Sequence, residues 1–335
     1  MPRRPHPDEK VILFPALARP LAAGRWSAAL RAVIFRPHDR SLRRRLLVRA
    51  IARAAEVRDK PLLLQRLHRT LAPFLVESCP RRRITVEVAG QRAVLGPSGA
   101  SGHLRGEVEF AHTAESPAAL PWRIIDGPGS PTNTGTLHLI PARGLSVICD
   151  IDDTIKHSCV PDTHELLRNT FLRPARCIAP VRAALQRLGA LGASTHYVSA
   201  SPWQLYPALR AFIKRASLPE GSFHLKDFRP KDRTALSLLA PPDRFKTPVI
   251  KAIMDTWPHR RFILIGDAAE RDPEIYGAIA VRRPRQVVGI VIRVPQGMTS
   301  PSSERFYGAP ARMVSVLGDE ADWAALGNAL AASGD

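Results

Sequence analysis

The sequence is poor in cysteine and has no long apolar run. Its 4 cysteines show no C-x-x-C spacing, which argues against a zinc site and a disulfide framework. The run VILFPALARPLAAG is broken by Pro15 and Pro20 and is followed by no convincing cleavage site. Because no window approaches about eighteen uninterrupted apolar residues, we expect neither a secretory signal nor a transmembrane helix. With reduced thiols, these absences favour a cytoplasmic protein.

Acidic residues are scarce beside basic ones. There are 30 Asp and Glu against 49 Lys and Arg, a formal net charge of +19. Such an excess attracts nucleic acid, anionic lipid surfaces and phosphorylated substrates, although a genomic bias toward arginine explains it equally well. The chain also lacks an interleaved aromatic–basic pattern and a helix-turn-helix signature, which makes nucleic acid the second choice of partner.

The N-terminal region carries much of this charge. Residues 1–60 contain fifteen Lys and Arg against five Asp and Glu. We predict a basic N-terminal region over 1–77, irregular up to residue 40, with amphipathic helices at 41–58 and 61–75. The arginines of the helix at 41–58 predict either a surface helix packed on its own protein or contact with an anionic membrane surface.

The pattern of apolar residues changes after the N-terminal region. The hydrophobic share of 45% supports a core, and 335 residues can hold two modest domains or one large one. Residues 78–142 contain short alternating runs such as RRRITVEVAG and predict a small antiparallel β domain. Residues 143–298 alternate apolar runs with helical stretches and predict a parallel sheet flanked by helices. Residues 299–335 are expected to form a tail with a short helix.

Polar side chains follow several of the predicted parallel strands. LSVIC leads directly into DIDDT, which contains Asp150 and Asp152. STHYV is followed by Ser199, and FILIG is followed by DAAERD, which begins with Asp267. Ligands of such sheets bind beyond the carboxyl ends of the strands, and Lys246 at the start of a predicted helix lies nearby. Carboxylates gathered at one edge need a cation, and oxygen ligands without His or Cys suit Mg²⁺.

Each of these residues has a simpler explanation when it is taken alone. Thr154 could cap the following segment, Ser199 could be a turn residue and Lys246 a surface lysine. Asp153 is expected either in solvent or behind the site. Ser–His catalysis by Ser199 and His196 is disfavoured because there is no G-x-S-x-G turn. Taken together, however, the polar residues that follow the predicted strands would meet at one edge of the sheet, and this favours the catalytic interpretation.

These motifs resemble, in order, those of the haloacid dehalogenase superfamily of phosphotransferases. Within it, the blocks DIDDTIKHS, ELLRNTFLRP, YVSASPWQLYP, GSFHLKDFR, PVIKAI and FILIGDAAERDPEIYGAIA look like the phosphatidate phosphatase family of the yeast actin-patch protein and its bacterial relatives. The likeness covers about 145–295, with a weaker suggestion of that family's N-terminal β domain. It implies a haloacid-dehalogenase-like Rossmannoid α/β fold. Two blocks depart: the family's GDSG is GDAA here, with Ala268 and Ala269, and its SNSPW is SASPW.

The resemblance implies a role for each acidic residue. Asp150 would be the nucleophile that forms an aspartyl-phosphate, and Asp152 the general acid and base. The Asp150 carboxylate, the Asp152 backbone carbonyl and Asp267 would hold Mg²⁺. Thr154 and Asp272 would lie behind these groups, with Asp272 orienting the metal's water ligands or the lysine.

The remaining implied roles concern the phosphate and the substrate. Ser199 would hydrogen-bond a phosphoryl oxygen, and Lys246 would neutralise charge on the intermediate. Lys226, Arg229 and Lys231, grouped close to the predicted mouth of the site, would suit a phosphate head group or a nucleic-acid backbone. Trp203, in a run of apolar residues at helical spacing, belongs either to the core or to a ledge for lipid chains.

The function expected from the sequence is Mg²⁺-dependent hydrolysis of a lipid phosphomonoester, phosphatidate or lysophosphatidate. The protein would work in the cytoplasm or peripherally at a membrane surface. One alternative is a phosphatase of nucleic-acid ends or of small soluble phosphomonoesters. Another is a basic membrane- or nucleic-acid-binding protein that has lost activity, which the GDAA block favours and the intact aspartates oppose.

Overall fold

The computed structural model describes residues 3–22, 24–37, 48–53, 55–56, 61–74, 76–113, 118–126, 134–226 and 243–318. They divide into two compact units, one built on a mainly antiparallel sheet and the other on a parallel sheet with helices. No helix in these ranges is both long and apolar enough to cross a bilayer.

The first unit contains a nine-stranded sheet. Its strands are β1 (Lys10–Leu13), β2 (Ala16–Pro20), β3 (Arg25–Pro37), β4 (Val76–Ser78), β5 (Ile84–Val88), β6 (Gln91–Leu95), β7 (His103–Ala111), β8 (Ala118–Asp126) and β9 (Thr134–Leu139). The main order is β1-β3-β2-β9-β8-β5-β6, and β3 pairs in addition with β4 and β7. All neighbours are antiparallel except β2 and β9, which are parallel.

The N-terminal strands correct one expectation from the sequence. Irregular structure was predicted up to residue 40, but β1 to β3 occupy much of that stretch, and the β region predicted at 78–142 shares its sheet with them. The prolines that suggested irregularity lie where strands tolerate them: Pro20 and Pro37 are the last residues of their strands, and Pro15 lies between β1 and β2. Between these breaks the side chains of β3 are largely buried, so burial decides the conformation.

Two of the predicted basic helices are seen in part. Residues 48–53 are helical, and α1 (Pro61–Leu71) continues into a 3₁₀ turn at Ala72–Phe74. Ile51 and Ala52 are buried, which favours packing on the protein itself for this part of the helix predicted at 41–58. Residues 41–47, 54 and 57–58 lie outside the described residues.

The second unit contains a six-stranded parallel sheet. Its strands are β10 (Gly144–Cys149), β11 (Ser194–Pro202), β12 (Gly221–Lys226), β13 (Arg260–Asp267), β14 (Val287–Arg293) and β15 (Val314–Leu317). Its helices are α2 (Thr163–Phe171), α3 (Ala179–Ala190), α4 (Tyr206–Arg215), α5 (Asp243–Thr256) and α6 (Asp272–Arg282). This confirms the predicted parallel sheet flanked by helices.

The strand order fixes where a site can form. The order β12-β11-β10-β13-β14-β15 places the first strand in the middle, and the chain builds outward from it in both directions. The central strands β10 and β13 are almost entirely buried, as expected of parallel strands covered on both faces. In such doubly wound sheets the crevice for a ligand opens at the carboxyl end of the strand where the order reverses, here β10.

The sheet extends beyond the boundary expected at residue 298. Residues 303–306 and 311–313 form 3₁₀ turns, and β15 pairs with β14 as the edge strand. The tail was predicted to hold a short helix; residues 319–335 lie outside the described residues.

Candidate active site at the carboxyl end of the parallel sheet

Two carboxylates lie at the ends of neighbouring central strands. Asp150 directly follows β10, and Asp267 is the last residue of β13. The two strands are in register over Gly144–Cys149, and the Asp150 N–H donates to the carbonyl of Ile265 at 2.9 Å. Both carboxylates are buried, so the parallel pairing holds two acids next to each other away from solvent.

The Asp150 carboxylate has a partner on each oxygen. Its Oδ1 lies 2.9 Å from Lys246 Nζ, and its Oδ2 accepts a hydrogen bond from Thr154 Oγ1 at 3.1 Å. Burial raises the pKa of Asp150 well above its usual value, and Lys246 opposes the rise. The predicted place of Thr154 behind the central aspartate agrees with this contact.

Lys246 joins three carboxylates. It lies in the first turn of α5, as the sequence predicts, and its Nζ is 2.9 Å from Asp150, 2.9 Å from Glu270 and 2.6 Å from Asp272. Burial alone would lower the pKa of Lys246, but these three acids raise it well above its usual value. The surface-lysine explanation is therefore wrong, because Lys246 is a buried cation.

The loop after β13 folds back on the Asp267 carboxylate. Oδ1 of Asp267 accepts from the N–H groups of Ala269 at 2.7 Å and Glu270 at 3.1 Å. Its Oδ2 is buried and has no hydrogen-bond partner within the described residues. Asp272 Oδ2 accepts from the Asp267 N–H at 3.2 Å, a close approach that requires glycine at 266, since a Cβ there would lie 2.6 Å from Asp272 Cβ.

This group of acids fits a divalent cation. Oxygen atoms of Asp150, Asp267 and Glu270 lie within 4.8 Å of one another. Burial raises the pKa of Asp267 well above its usual value and that of Glu270 to about 7; the neighbouring Asp272 carboxylate adds to both shifts, and Lys246 opposes them. A hard cation would relieve this crowding and satisfy the orphaned Asp267 Oδ2. The sequence-based set included Asp150 and Asp267 but not Glu270; the predicted ligand role of the Asp152 carbonyl stays a prediction.

Asp152 lies apart from this group in a shell of donors. Its Oδ1 accepts from Lys156 Nζ at 3.0 Å and Ser158 Oγ at 2.6 Å, and its Oδ2 from Ser199 Oγ at 3.1 Å and Ser201 Oγ at 2.8 Å. Burial acts to raise the pKa of Asp152, but Lys156 and the hydroxyl groups lower it well below its usual value. This arrangement holds Asp152 as a carboxylate.

Ser199 faces Asp152 in the structure. Besides donating to Asp152, its Oγ accepts from the Ser201 N–H at 2.9 Å, and the side chain is buried. Its predicted hydrogen bond to a phosphoryl oxygen stays a prediction. The neighbouring His196 is a buried strand residue whose Nδ1 lies 3.0 Å from Ser222 Oγ, in agreement with the rejection of Ser–His catalysis.

Asp153 organises the loop after the motif. It is buried, so of the two expected places, in solvent or behind the site, the structure excludes solvent. Its Oδ1 accepts from the N–H groups of Ser158 and Cys159 at 2.8 Å each, and its Oδ2 from Val160 at 2.6 Å. These bonds hold the chain that delivers Lys156 and Ser158 to Asp152.

The substrate-binding predictions have mixed outcomes. Trp203 is 3% exposed and lies among other buried apolar residues of its segment, which favours the core over a lipid ledge. Lys226 is the last residue of β12 and is half-buried at the carboxyl end of the sheet. Arg229 and Lys231 lie outside the described residues.

Sequence reasoning missed several residues that contact the site. Glu270 was visible as a third acid in GDAAERD, and Lys156 and Ser158 were visible in DIDDTIKHS as a cation and a hydroxyl near the aspartates. No signal in the sequence connects a residue beyond 300 with the site, yet Arg305 donates to the carbonyls of Ala268 and Glu270.

Comparison with known proteins gives a consistent set of relatives. Residues 145–294 match the family described as phosphatidate phosphatase APP1, catalytic domain. The chain is 28% identical over 235 residues to phosphatidate phosphatase APP1 of Saccharomyces cerevisiae, which covers 66% of this chain and 38% of that protein. It is 32% identical over 155 residues to an uncharacterized protein of Schizosaccharomyces pombe, covering 45% of this chain and 25% of that protein. The chain therefore spans less than half the length of either relative.

Proposed function

We propose that this protein is a Mg²⁺-dependent phosphatase of lipid phosphomonoesters that works through an aspartyl-phosphate, because residues 145–294 match the family of phosphatidate phosphatase catalytic domains. The substrate class is phosphatidate or lysophosphatidate, and the parallel-sheet unit is a haloacid-dehalogenase-like domain. The residues proposed for catalysis and for holding the metal all lie in the second unit.

One observation carries the proposal. Asp150, Asp267 and Glu270 bring their oxygens within 4.8 Å of one another at the carboxyl end of the central strands, beside the buried ammonium group of Lys246. So many buried acids around one lysine cost stability unless they serve a bound cation. A structural salt bridge would not leave Asp267 Oδ2 without a partner among the residues that the structure describes.

The same geometry supports three members of the metal set, and the resemblance adds the Asp152 backbone carbonyl. Asp150, Asp267 and Glu270 would hold Mg²⁺ together with the Asp152 backbone carbonyl. When bound, Mg²⁺ offsets the negative charge shared by a carboxylate nucleophile and a phosphate, which otherwise repel each other. Asp272 would keep Lys246 in place, through the 2.6 Å contact between them.

The first chemical step belongs to Asp150. A carboxylate oxygen of Asp150 attacks phosphorus, the bond from phosphorus to the ester oxygen breaks, and the alcohol leaves with a proton from Asp152. Lys246 lies 2.9 Å from Asp150 and neutralises charge that develops on the phosphoryl group. Ser199 would turn from Asp152 to a phosphoryl oxygen when substrate is present.

The second step releases phosphate. Asp152 accepts a proton from a water molecule, the water oxygen bonds to phosphorus, and the acyl-phosphate bond breaks to restore the Asp150 carboxylate. The hydrogen bonds on Asp152 favour this basic form. Its acid role in the first step requires the incoming ester to displace part of that donor set.

The lipid substrate rests on the relatives rather than on the catalytic residues. The yeast relative is named a phosphatidate phosphatase. Lys226 is the last residue of the edge strand β12, and Arg229 and Lys231 follow it in sequence; together they would attract a phosphate head group. The net charge of +19 would hold the protein peripherally on an anionic membrane surface, with the basic N-terminal region as its contact.

The test is phosphate release from phosphatidate in mixed micelles, with and without Mg²⁺. Wild type is compared with Asp150→Asn, and with Asp255→Asn as a control, since Asp255 is an exposed acid of α5 paired with Arg283. We expect release that needs both Mg²⁺ and Asp150. Turnover of a soluble phosphomonoester but not of the lipid would favour a phosphatase of soluble or nucleic-acid substrates. If phosphate is released neither from the lipid nor from the soluble phosphomonoester, an inactive binding protein would be favoured.

A further inference from the structure

Arg305 lies outside the segment that matches the family, yet it contacts the loop after β13. The structure assigns to Arg305 the role of a positioning residue that sets the peptide groups of this loop, residues 268–270, and through them the carboxylates of Asp267 and Glu270. The inference deepens the proposed function, because it concerns how this chain prepares the same metal site.

The guanidinium of Arg305 uses all three of its nitrogen atoms. Nη1 donates to the Ala268 carbonyl at 3.0 Å, and Nη2 donates to the Glu270 carbonyl at 2.8 Å. Nε and Nη2 form a two-point contact with Glu274 of α6, at 2.7 and 3.0 Å. A planar fork with this many donors fixes the direction of each partner, which an ammonium group cannot do.

One peptide unit links Arg305 to the Asp267 carboxylate. The carbonyl of Ala268 accepts from Arg305, and the N–H of Ala269, in the same planar peptide, donates to Asp267 Oδ1 at 2.7 Å. Because the peptide is rigid, holding its oxygen also aims its N–H. Hydrogen bonds at both ends of a peptide polarise one another, so the bond to Asp267 is strengthened as well as directed.

The Arg305 guanidinium also holds the backbone of the next acid of the loop, Glu270. The Glu270 carbonyl accepts from Arg305 while the Glu270 side chain reaches Lys246 at 2.9 Å. The backbone of Glu270 is thus held on one side by Arg305 and, through its N–H, on the other by Asp267. Arg305 therefore limits the rotation of the loop that carries both acids.

Arg305 is itself anchored by tight packing. It belongs to the 3₁₀ turn Ser303–Phe306, and Phe306 is buried. Gly277 of α6 allows this turn to approach, because a Cβ at 277 would lie 2.5 Å from the Phe306 carbonyl carbon. A glycine inside a helix costs stability relative to alanine, so this approach needs Gly277 for space rather than for helix formation.

The sequence of the loop explains why a distant residue is needed. Ala268 and Ala269 occupy positions where the family pattern has serine and glycine, so no hydroxyl from the loop can hold its backbone or its acids. Arg305 supplies donors to the same backbone from another segment of the chain.

The experiment measures Mg²⁺ binding by calorimetry without substrate, together with the Mg²⁺ dependence of phosphate release. Arg305→Met removes the donors but keeps a long side chain. Arg283→Met is the matched control, because Arg283 is also paired with an acid and its side chain is 24% exposed, against 29% for Arg305. We expect Arg305→Met to raise the Kd for Mg²⁺ about 10- to 100-fold, with a smaller change in kcat at saturating Mg²⁺, and the control to stay at wild-type values.

Two further variants separate positioning from charge and from loss of fold. Arg305→Lys keeps the charge but cannot hold two carbonyls and Glu274 together, so it should bind Mg²⁺ nearly as weakly as Arg305→Met. Gly277→Ala displaces the turn without changing charge and should also weaken Mg²⁺ binding.

The outcomes distinguish this inference from the proposed function. Folded Arg305→Met with wild-type Mg²⁺ affinity, or full recovery by Arg305→Lys, would overturn the positioning role alone. Should Arg305→Met unfold, normal Mg²⁺ affinity in Gly277→Ala would overturn it. A wild-type protein that binds no Mg²⁺ would overturn the proposed function and this inference with it.

Discussion

Lys246 Nζ lies 2.6 Å from Asp272 Oδ1, and both side chains are completely enclosed by the protein. Asp272 begins α6 and Lys246 lies in the first turn of α5, so this contact ties the two helix starts together beneath the carboxyl ends of the strands. The same ammonium reaches Asp150, which follows the central strand. A single cation therefore couples the predicted nucleophile to the loop that carries the other acids.

Replacing this cation tests how much the site depends on it. We predict that Lys246→Met lowers kcat for phosphate release by about 100-fold or more, because charge on the phosphoryl group is no longer offset. We also predict a lower Tm in the presence of EDTA, since removing one partner of a buried ion pair typically costs about 3–5 kcal/mol. The control is Lys251→Met on the same helix. Activity within twofold of wild type would contradict the role of Lys246.

The glycine before Asp267 offers a second test. A Cβ at 266 would lie 2.6 Å from Asp272 Cβ and 2.7 Å from its Cγ, so Gly266→Ala should push Asp272 away from Lys246. Gly289→Ala in the neighbouring strand is the control, because there the nearest atom would be an Ile263 side-chain carbon at 3.8 Å. We expect Gly266→Ala to destabilise the protein by about 1–3 kcal/mol and to lower activity, with Gly289→Ala close to wild type. Urea unfolding and phosphate release check both; equal effects from the two variants would contradict the packing argument.

The parallel-sheet unit was predictable because its strands can be recognised in the sequence as short apolar runs. Runs such as LSVIC and FILIG are continuously apolar, as strands buried on both faces must be, and the polar residues that follow them necessarily share one edge of the sheet. The structure accordingly brings Asp150, Lys246, Asp267 and Asp272 together. Their catalytic roles stay predictions.

What the sequence did not reveal depends on contacts between distant segments. The first 37 residues contain several prolines, which predicted irregular structure. The prolines at 15, 20 and 37 lie between strands or at strand ends, so they do not interrupt the pairing. The direction of Glu270 depends on how the loop folds back on Asp267, and no local pattern encodes it. Asp153 was expected either in solvent or behind the site, and the choice depends on three backbone N–H groups of the following loop that hold it in a buried position.

The donors around Asp152 predict a change in pH dependence. Lys156 is the strongest of the groups that lower the pKa of Asp152, so Lys156→Met should raise that pKa. If Asp152 must be a carboxylate to activate water, the acidic limb of the kcat profile should move to higher pH, by about 1 unit or more. Lys214→Met, an exposed lysine of α4, is the control. An acidic limb that stays in place in Lys156→Met, followed down to the lowest pH at which both proteins remain folded, would contradict the contact or the basic role of Asp152.

A buried pair in the first unit makes a prediction about acid stability. Glu9 is buried and accepts from Arg82 Nη2 at 2.7 Å and Nε at 2.9 Å, and from the His6 N–H at 3.0 Å. Although burial acts to raise the pKa of Glu9, these bonds lower it from 4.5 to about 2. Because the folded-state pKa is the lower one, the stabilisation is present above pH 4.5 and is lost as the pH falls toward 2.

Glu9→Gln should therefore destabilise the protein near neutral pH and much less in acid. The shift corresponds to about 3 kcal/mol at most, and the difference in unfolding free energy between wild type and Glu9→Gln should shrink steadily below about pH 4.5. Urea unfolding at pH 7, 4 and 3 measures this difference. The control is Glu109→Gln, which removes an exposed ion pair with Arg25 and should cost about 1 kcal/mol or less. A Glu9→Gln penalty that is constant from pH 7 to 3 would mean that the side chain stabilises the sheet by packing and not through its charge.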